Sequence, residues 1–283
     1  MDKVRTSLLL VAHNFKKWPV NPRIYVVFVL VLAYVHSMIS PIGNFCAQMG
    51  YTVGPWLFPF LMAEPYSALM IMLGLILLFC DAPFIEDDQP YLILRSGRKT
   101  WAMGQALYVM AGSAVYFISV YFISVLIVLP YIGFEHGWGK VINTFCQMGG
   151  SRQYGIVLAF EQQINNVYNP VQATLLNLLL CWMIGVFLGL LLLFLNLVAN
   201  RSVGGIVTVG LSIFPLFVIR SDWWMHYISP VSWCSLAVVD ATGTTSFPSL
   251  PYAIGVLAGG ILLFGGLFIV LMTHRDIEVL KSV

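Results

Sequence analysis

The sequence predicts an all-α integral membrane protein, on three observations. Of its 283 residues 59% are hydrophobic and only 9% charged, where soluble domains carry charge at about a quarter of positions. The apolar residues fall in blocks close to the roughly 20 residues that a helix needs to cross a bilayer. Lys and Arg gather beside alternate blocks, as they do in the inner loops of membrane proteins. Lipid is then the solvent for most of the chain, and residues 1–283 are expected to form a single transmembrane domain. The net charge of +2 carries no message about nucleic acid, because the bases sit in juxtamembrane segments.

Residues 1–19 open with Val4, Leu8, Val11, Phe15 and Trp18 at helical spacing, while Lys3, Arg5, Lys16 and Lys17 fall mostly off that stripe. This pattern predicts an amphipathic helix in the membrane interface, ended by Pro19 and Pro22. A cleaved signal peptide fits less well. The continuous apolar core runs only from Leu8 to Ala12, and no small-residue cleavage site follows.

Six spans are expected at residues 24–42, 57–80, 103–129, 173–199, 203–219 and 251–273, the fifth being the shortest. With the N-terminus inside, eleven of the fourteen Lys and Arg residues are cytoplasmic and three, Lys140, Arg152 and Arg220, are outside. An even number of spans puts both termini in the cytoplasm. Residues 131–172 and 220–250 become extracellular segments. The first contains GIVLAFEQQINNVYNP, read as a short helix over the outer mouth. The second contains WWMHYISPVSWCSLAVVD, too apolar for a hydrated loop and read as a pair of short helices dipping back into the outer leaflet. Trp56, Trp223, Trp224 and Trp233 suit an outer aromatic belt, and Trp18 and Trp101 an inner one.

Between the second and third spans lies a charged island, residues 81–100, with Asp81, Glu86, Asp87, Asp88, Arg95, Arg98 and Lys99. Asp87 or Asp88 can cap a helix there, Pro90 suits its first turn and Gly97 ends it. About two turns of helix do not hold themselves together by propensity alone. Four acids exceed what topology needs, and Tyr91, Leu92, Ile93 and Leu94 sit near water, where a partner groove is their natural cover. Docking is therefore preferred over a plain hydrated turn.

Catalytic patterns are missing. SGRKT at 96–100 lacks the loop that cradles phosphate, and neither HExxH nor GxSxG occurs. No intrinsic enzyme activity is expected. Five cysteines show no CxxC spacing, so no metal site is expected; Cys46, Cys146 and Cys234 fall on the outer side, where their disulfide state is open. Glu64, followed by Pro65, is the one acid well inside a span. It reads either as a substrate-pathway carboxylate, with His36 or Arg220 as partner, or as a group facing a wet vestibule at a Pro kink. Gly185-xxx-Gly189 and Gly255-xxx-Gly259 permit close helix approach, more often within a subunit than between subunits.

With an amphipathic N-terminal helix, six spans, a helical loop between spans two and three, and HYISPVSW at 226–233, the chain resembles the permease subunits of ATP-binding-cassette exporters of the type-2, six-span class. The segment between spans three and four is longer than is usual there. The resemblance implies that the helix near 89–96 is a coupling helix docked on a separate ATPase subunit, through Asp88, Gln89, Tyr91, Leu92, Leu94, Arg95 and Arg98. It implies re-entrant outer helices at 223–241, and pairing with a second permease copy or paralogue in membrane lipid. ATP and Mg2+ would be bound by the partner ATPase, not by this chain. The expected function is export of a hydrophobic or amphipathic substrate (peptide, drug or lipid-like) across a plasma membrane, of bacterial type. The alternative is a membrane sensor or immunity protein that binds an antimicrobial peptide without transport.

Overall fold

Proline and glycine punctuate the helices of this chain. The computed structural model describes residues 3–82, 89–135, 137–148, 150–199, 201–218, 223–243 and 245–274. Helix α1 (Lys3–Lys16) leads through a 3-10 turn (Trp18–Val20) into α2 (Pro22–Met49), with Pro22 in its first turn and the Asn21 side chain accepting from the Arg23 amide. Gly50, at a φ of 68°, ends α2 in the left-handed conformation that side chains disfavour. Then come α3 (Phe58–Ala63), α4 (Pro65–Phe79), α5 (Gln89–Ser96) and α6 (Arg98–Val128). They are followed by α7 (Gly139–Met148), α8 (Gln162–Val167), α9 (Pro170–Val198) and α10 (Arg201–Val218). Three 3-10 turns (Trp223–Tyr227, Pro230–Cys234, Leu236–Val238) precede α11 (Leu250–His274). No strand forms among the described residues beyond two isolated bridges, Val53 with Ile132 and Asp240 with Ser249.

Among the described residues four helices are long and apolar enough to cross a membrane: Pro22–Met49, Arg98–Tyr131, Pro170–Val198 and Leu250–His274. Pro65–Phe79 and Ser202–Val218 are shorter apolar helices. Helix α9 is the central post, most of its apolar stretch buried, whereas that of α11 is largely exposed. Its two asparagines fasten both ends. Asn177 Nδ2 donates to the Cys234 carbonyl at 2.6 Å, and Asn196 Nδ2 to the Ala82 carbonyl at 2.7 Å. Between them Gly185 and Gly189 let Phe117, Leu75, Val109 and Phe79 close in, so this small-residue pair packs within the chain. Gly255 and Gly259 on α11 meet nothing within 4 Å.

Helix α1 lies along the first turns of α6. Ser7 Oγ donates to the Thr100 carbonyl at 3.2 Å, Asn14 Nδ2 to Gln105 Oε1 at 2.9 Å and Trp18 Nε1 to the Tyr108 hydroxyl at 2.8 Å. Its buried residues are thus Ser7, Leu10 and Asn14. The predicted apolar stripe is divided: Val11, Phe15 and Trp18 pack on the protein, while Val4 and Leu8 stay exposed. Polar side chains bury here because each finds a partner on α6.

Several boundaries differ from those predicted. The span expected to be continuous over 57–80 is broken at Glu64, whose φ and ψ of −77° and 118° are extended. One cause is local, since the ring of Pro65 disfavours the helical conformation in the residue before it. The helix expected from residue 103 already begins at Arg98. The pair of helices expected within 223–241 is a run of three 3-10 turns. The outer helix expected in 155–170 is confined to α8, and α7 was not expected at all. Trp101 and Trp233, assigned to aromatic belts, are fully buried in protein. Asp88, Arg220 and residue 219 lie outside the described residues.

Candidate functional site

The break at Glu64 opens a cavity. Glu64, in extended conformation, is the residue that caps α4, and it stands on the cavity wall. The cavity, of about 380 Å³, is lined by Glu64 and Ala68 from this break, Arg152 and Glu161 from the 150–161 segment, Pro215 from α10 and His226 from the 3-10 turn Trp223–Tyr227. Glu64 is half-buried, whereas Arg152 and Glu161 are exposed at the rim. Both rim charges lie within electrostatic reach of the Glu64 carboxylate. Two acids and one base leave the opening with an excess of one negative charge.

The walls are held by aromatic packing. The Phe60 ring lies 5.1 Å from both the Trp138 and Phe160 rings, and Phe160 also meets Phe145 at 5.2 Å. Trp138 Nε1 donates to the Tyr168 carbonyl at 2.9 Å. These contacts clamp the segment that carries Glu161 onto α3. On the opposite wall, the Trp233 indole donates to the His226 carbonyl at 2.8 Å, and the His226 ring stands edge-on to Phe247 at 5.1 Å. His226 is only 5% exposed, yet its Nδ1 is buried without a hydrogen-bond partner. Buried polar atoms normally have one; this nitrogen has almost no accessible surface and sits in the packing behind the cavity wall.

His36, predicted beside Glu64, is exposed on α2 and does not line the cavity. The neighbour that α2 does bring near is Tyr34, whose hydroxyl lies 3.3 Å from Ser67 Oγ. Arg152, Glu161 and His226 were not singled out as Glu64's companions by the sequence. The visible signal for Glu161 and His226 is a charge or imidazole beside apolar residues, in LAFEQQ and WWMHY, whereas Arg152 lies in the polar run GGSRQYG and carries none.

The charged loop forms a second constellation at the other end of α6. Helix α5 spans Gln89–Ser96. It is anchored by Ile93, 2% exposed, while Tyr91 and Leu94 stand 76% and 72% exposed on the other side. Leu92 is partly buried. Ser96 Oγ returns to the Leu92 carbonyl at 2.7 Å and the Gly97 amide to the Ile93 carbonyl at 2.9 Å. Gly97, at a φ of 82°, then turns the chain directly into α6, where Arg98 and Lys99 occupy the first turn. A groove of about 530 Å³ separates α5 from α1, with Lys3, His13 and Arg95 around a floor that includes Leu9 and Leu92. Arg23 at the start of α2 forms an ion pair with Asp81, tying the loop's beginning to the bundle.

Among the described residues no group of three metal-ligating side chains gathers. All five cysteines are free thiols, and burial beside Glu161 pushes the Cys146 thiol up to about 12, making it a poor nucleophile. No known protein family, curated protein or solved structure matches this chain.

Proposed function

We propose that the chain is the permease subunit of an ATP-driven exporter whose ATPase is a separate polypeptide. The observation that carries this reading is α5: a short helix, pinned by Ile93, that leaves Tyr91 and Leu94 uncovered in a charged loop. Surface of that kind is what a partner groove covers. In this reading α3 and α4 together make one broken crossing and α10 another, giving six spans. The bias of eleven inner against three outer Lys and Arg residues then sets α5 in the cytoplasm.

The mechanism follows from how α5 is joined to the rest. Only Gly97 separates it from α6, and α1 is hydrogen-bonded along the same stretch of α6. A push on Tyr91 and Leu94 is therefore delivered to α6 and α1 as a unit. ATP and Mg2+ bound in the partner would bias a two-state bundle through that contact. A second permease copy or paralogue completes the pathway, and the apolar span surfaces suit a hydrophobic or amphipathic cargo.

Co-purification from native membranes with mass spectrometry of the bound subunits tests the reading. An ATPase carrying a P-loop is expected in stoichiometric amount. Reaction of Lys99 with an impermeant amine reagent added outside intact cells would overturn the topology and the proposal with it.

A further inference from the structure

The groove between α1 and α5 has the chemistry of a site for an anionic amphiphile. Both helices pack on α6, and the groove, of about 530 Å³, lies between them. Each wall carries a base, Lys3 on α1 and Arg95 on α5, and the His13 imidazole stands on the α1 side. No acid lines the groove among the described residues, and neither Lys3 nor Arg95 has an ion-pair partner among them. Like charges on the two walls repel, and an anion between them turns that repulsion into attraction. The floor is apolar, with Leu10 buried and Leu9 54% exposed. A bare anion would satisfy the bases and leave these leucines wet. A lipid headgroup with the upper part of its acyl chain covers both. The position suits lipid as well, since one 3-10 turn separates α1 from α2, a helix long and apolar enough to cross a membrane. Basic pockets between helices at the membrane surface are where anionic headgroups bind. Leu92 and Arg95, which line the groove, form a flank of α5 beside the Tyr91–Leu94 face and not on it.

We infer that this groove binds the headgroup of an anionic phospholipid, its phosphate between Lys3 and Arg95 and its upper acyl chain against Leu9 and Leu92. The bound headgroup ties α5 to α1 across the gap. The inference goes beyond the permease reading and does not need the ATPase, because binding is measured on this chain alone.

The experiment uses the full chain in phosphatidylcholine nanodiscs with a phosphatidylglycerol probe that carries a diazirine at the start of one acyl chain. After photolysis, labelled peptides are mapped by mass spectrometry. Labelling is expected in residues 3–13 and 92–100. Unlabelled phosphatidylglycerol should compete, and a phosphatidylcholine probe with the same diazirine should leave the groove unlabelled. Lys3→Gln and Arg95→Gln should each lower labelling by about fivefold, which is about 1 kcal/mol per base at an anionic membrane surface. Both side chains are exposed, so neither change disturbs the core. Arg95→Lys keeps the charge and should restore labelling to within about twofold of the parent chain. Lys16 is the control, an exposed base of α1 that does not line the groove. Lys16→Gln should change labelling by less than about twofold. An equal loss in all three Gln variants would mean diffuse attraction to the surface and overturns the inference. So does labelling no stronger in the groove than along the exposed faces of α2 and α11. Displacement of the probe by glycerol phosphate or an oligoglutamate as readily as by phosphatidylglycerol also overturns it, since the groove then takes a soluble anion or an acidic polypeptide.

Discussion

The Asn14 side-chain amide donates to Gln105 Oε1 across 2.9 Å, with the two residues only 7% and 1% exposed. This bond joins the N-terminal helix α1 to α6 in a place water does not reach. Removing one partner leaves the other unsatisfied, at about 1–3 kcal/mol, whereas removing both is far cheaper than the sum. Asn14→Leu and Gln105→Leu should each lower stability by about that amount, and the double variant should recover at least half of the combined loss. Unfolding in mixed detergent micelles measures all four species. Additive losses would show that the two helices are not held together here.

Tyr91→Asp and Leu94→Asp place charge on surfaces that are already exposed, so neither should change the melting temperature of the isolated chain by more than a few degrees. Each should nevertheless remove the partner ATPase from the purified complex. Ile93→Asp is the contrast, since Ile93 is buried and the change should unfold α5. Retention of the ATPase by both exposed-site variants would mean that α5 is not its docking point.

The helices that the sequence revealed are those whose solvent changes abruptly at their ends. α5 was legible because Pro90 and Gly97 bracket it, and α9 because Pro170 opens a long uninterrupted apolar run. The α3–α4 break was half legible, since Pro65 announced a kink but not the full loss of helix at Glu64. The 3-10 turns of 223–238 were hidden, because apolar periodicity records burial and not the number of residues per turn. α7 carries Val141, Ile142, Phe145 and Cys146 at helical spacing, a signal masked by Lys140, Asn143 and Gln147 between them. The cavity was illegible for a different reason. Glu64, Glu161 and His226 meet only through folding, and no local pattern encodes their proximity.

Asp240 should make the 240–249 loop sensitive to acid. Its carboxylate accepts from the Thr242, Gly243 and Thr245 amides at 2.8, 2.9 and 2.8 Å, and these bonds hold it well below the ordinary carboxylate range. A depressed value in the fold means that the stabilisation is complete above the unfolded value of about 3.9 and fades as pH falls towards the folded one. Asp240→Asn turns an acceptor facing the Thr245 amide into a donor or leaves that amide unpaired. The variant's loop should be cleaved faster by added protease at pH 7, and the gap from the parent chain should narrow below about pH 4. A gap independent of pH would place the carboxylate outside the loop's stabilisation.

The break at Glu64 has two causes, and a substitution at Pro65 separates them. Pro65→Ala removes the steric bar on a helical Glu64 and supplies a new backbone N–H. Straightening would gain about one or two hydrogen bonds, worth about 1 kcal/mol each. It would also pull Phe60 out from between Trp138 and Phe160, a loss of about 3–5 kcal/mol on the scale of burying such a ring. Packing wins, so Pro65→Ala alone should keep the break and, with its new N–H unpaired in the fold, lower stability by about 1–2 kcal/mol. Combined with Phe60→Ala, the same change should produce one continuous helix and abolish the cavity. Hydrogen exchange at residue 65 distinguishes the two: fast in the single variant, slow in the double. A slow amide already in the single variant would show that proline alone, and not the aromatic clamp, keeps Glu64 extended.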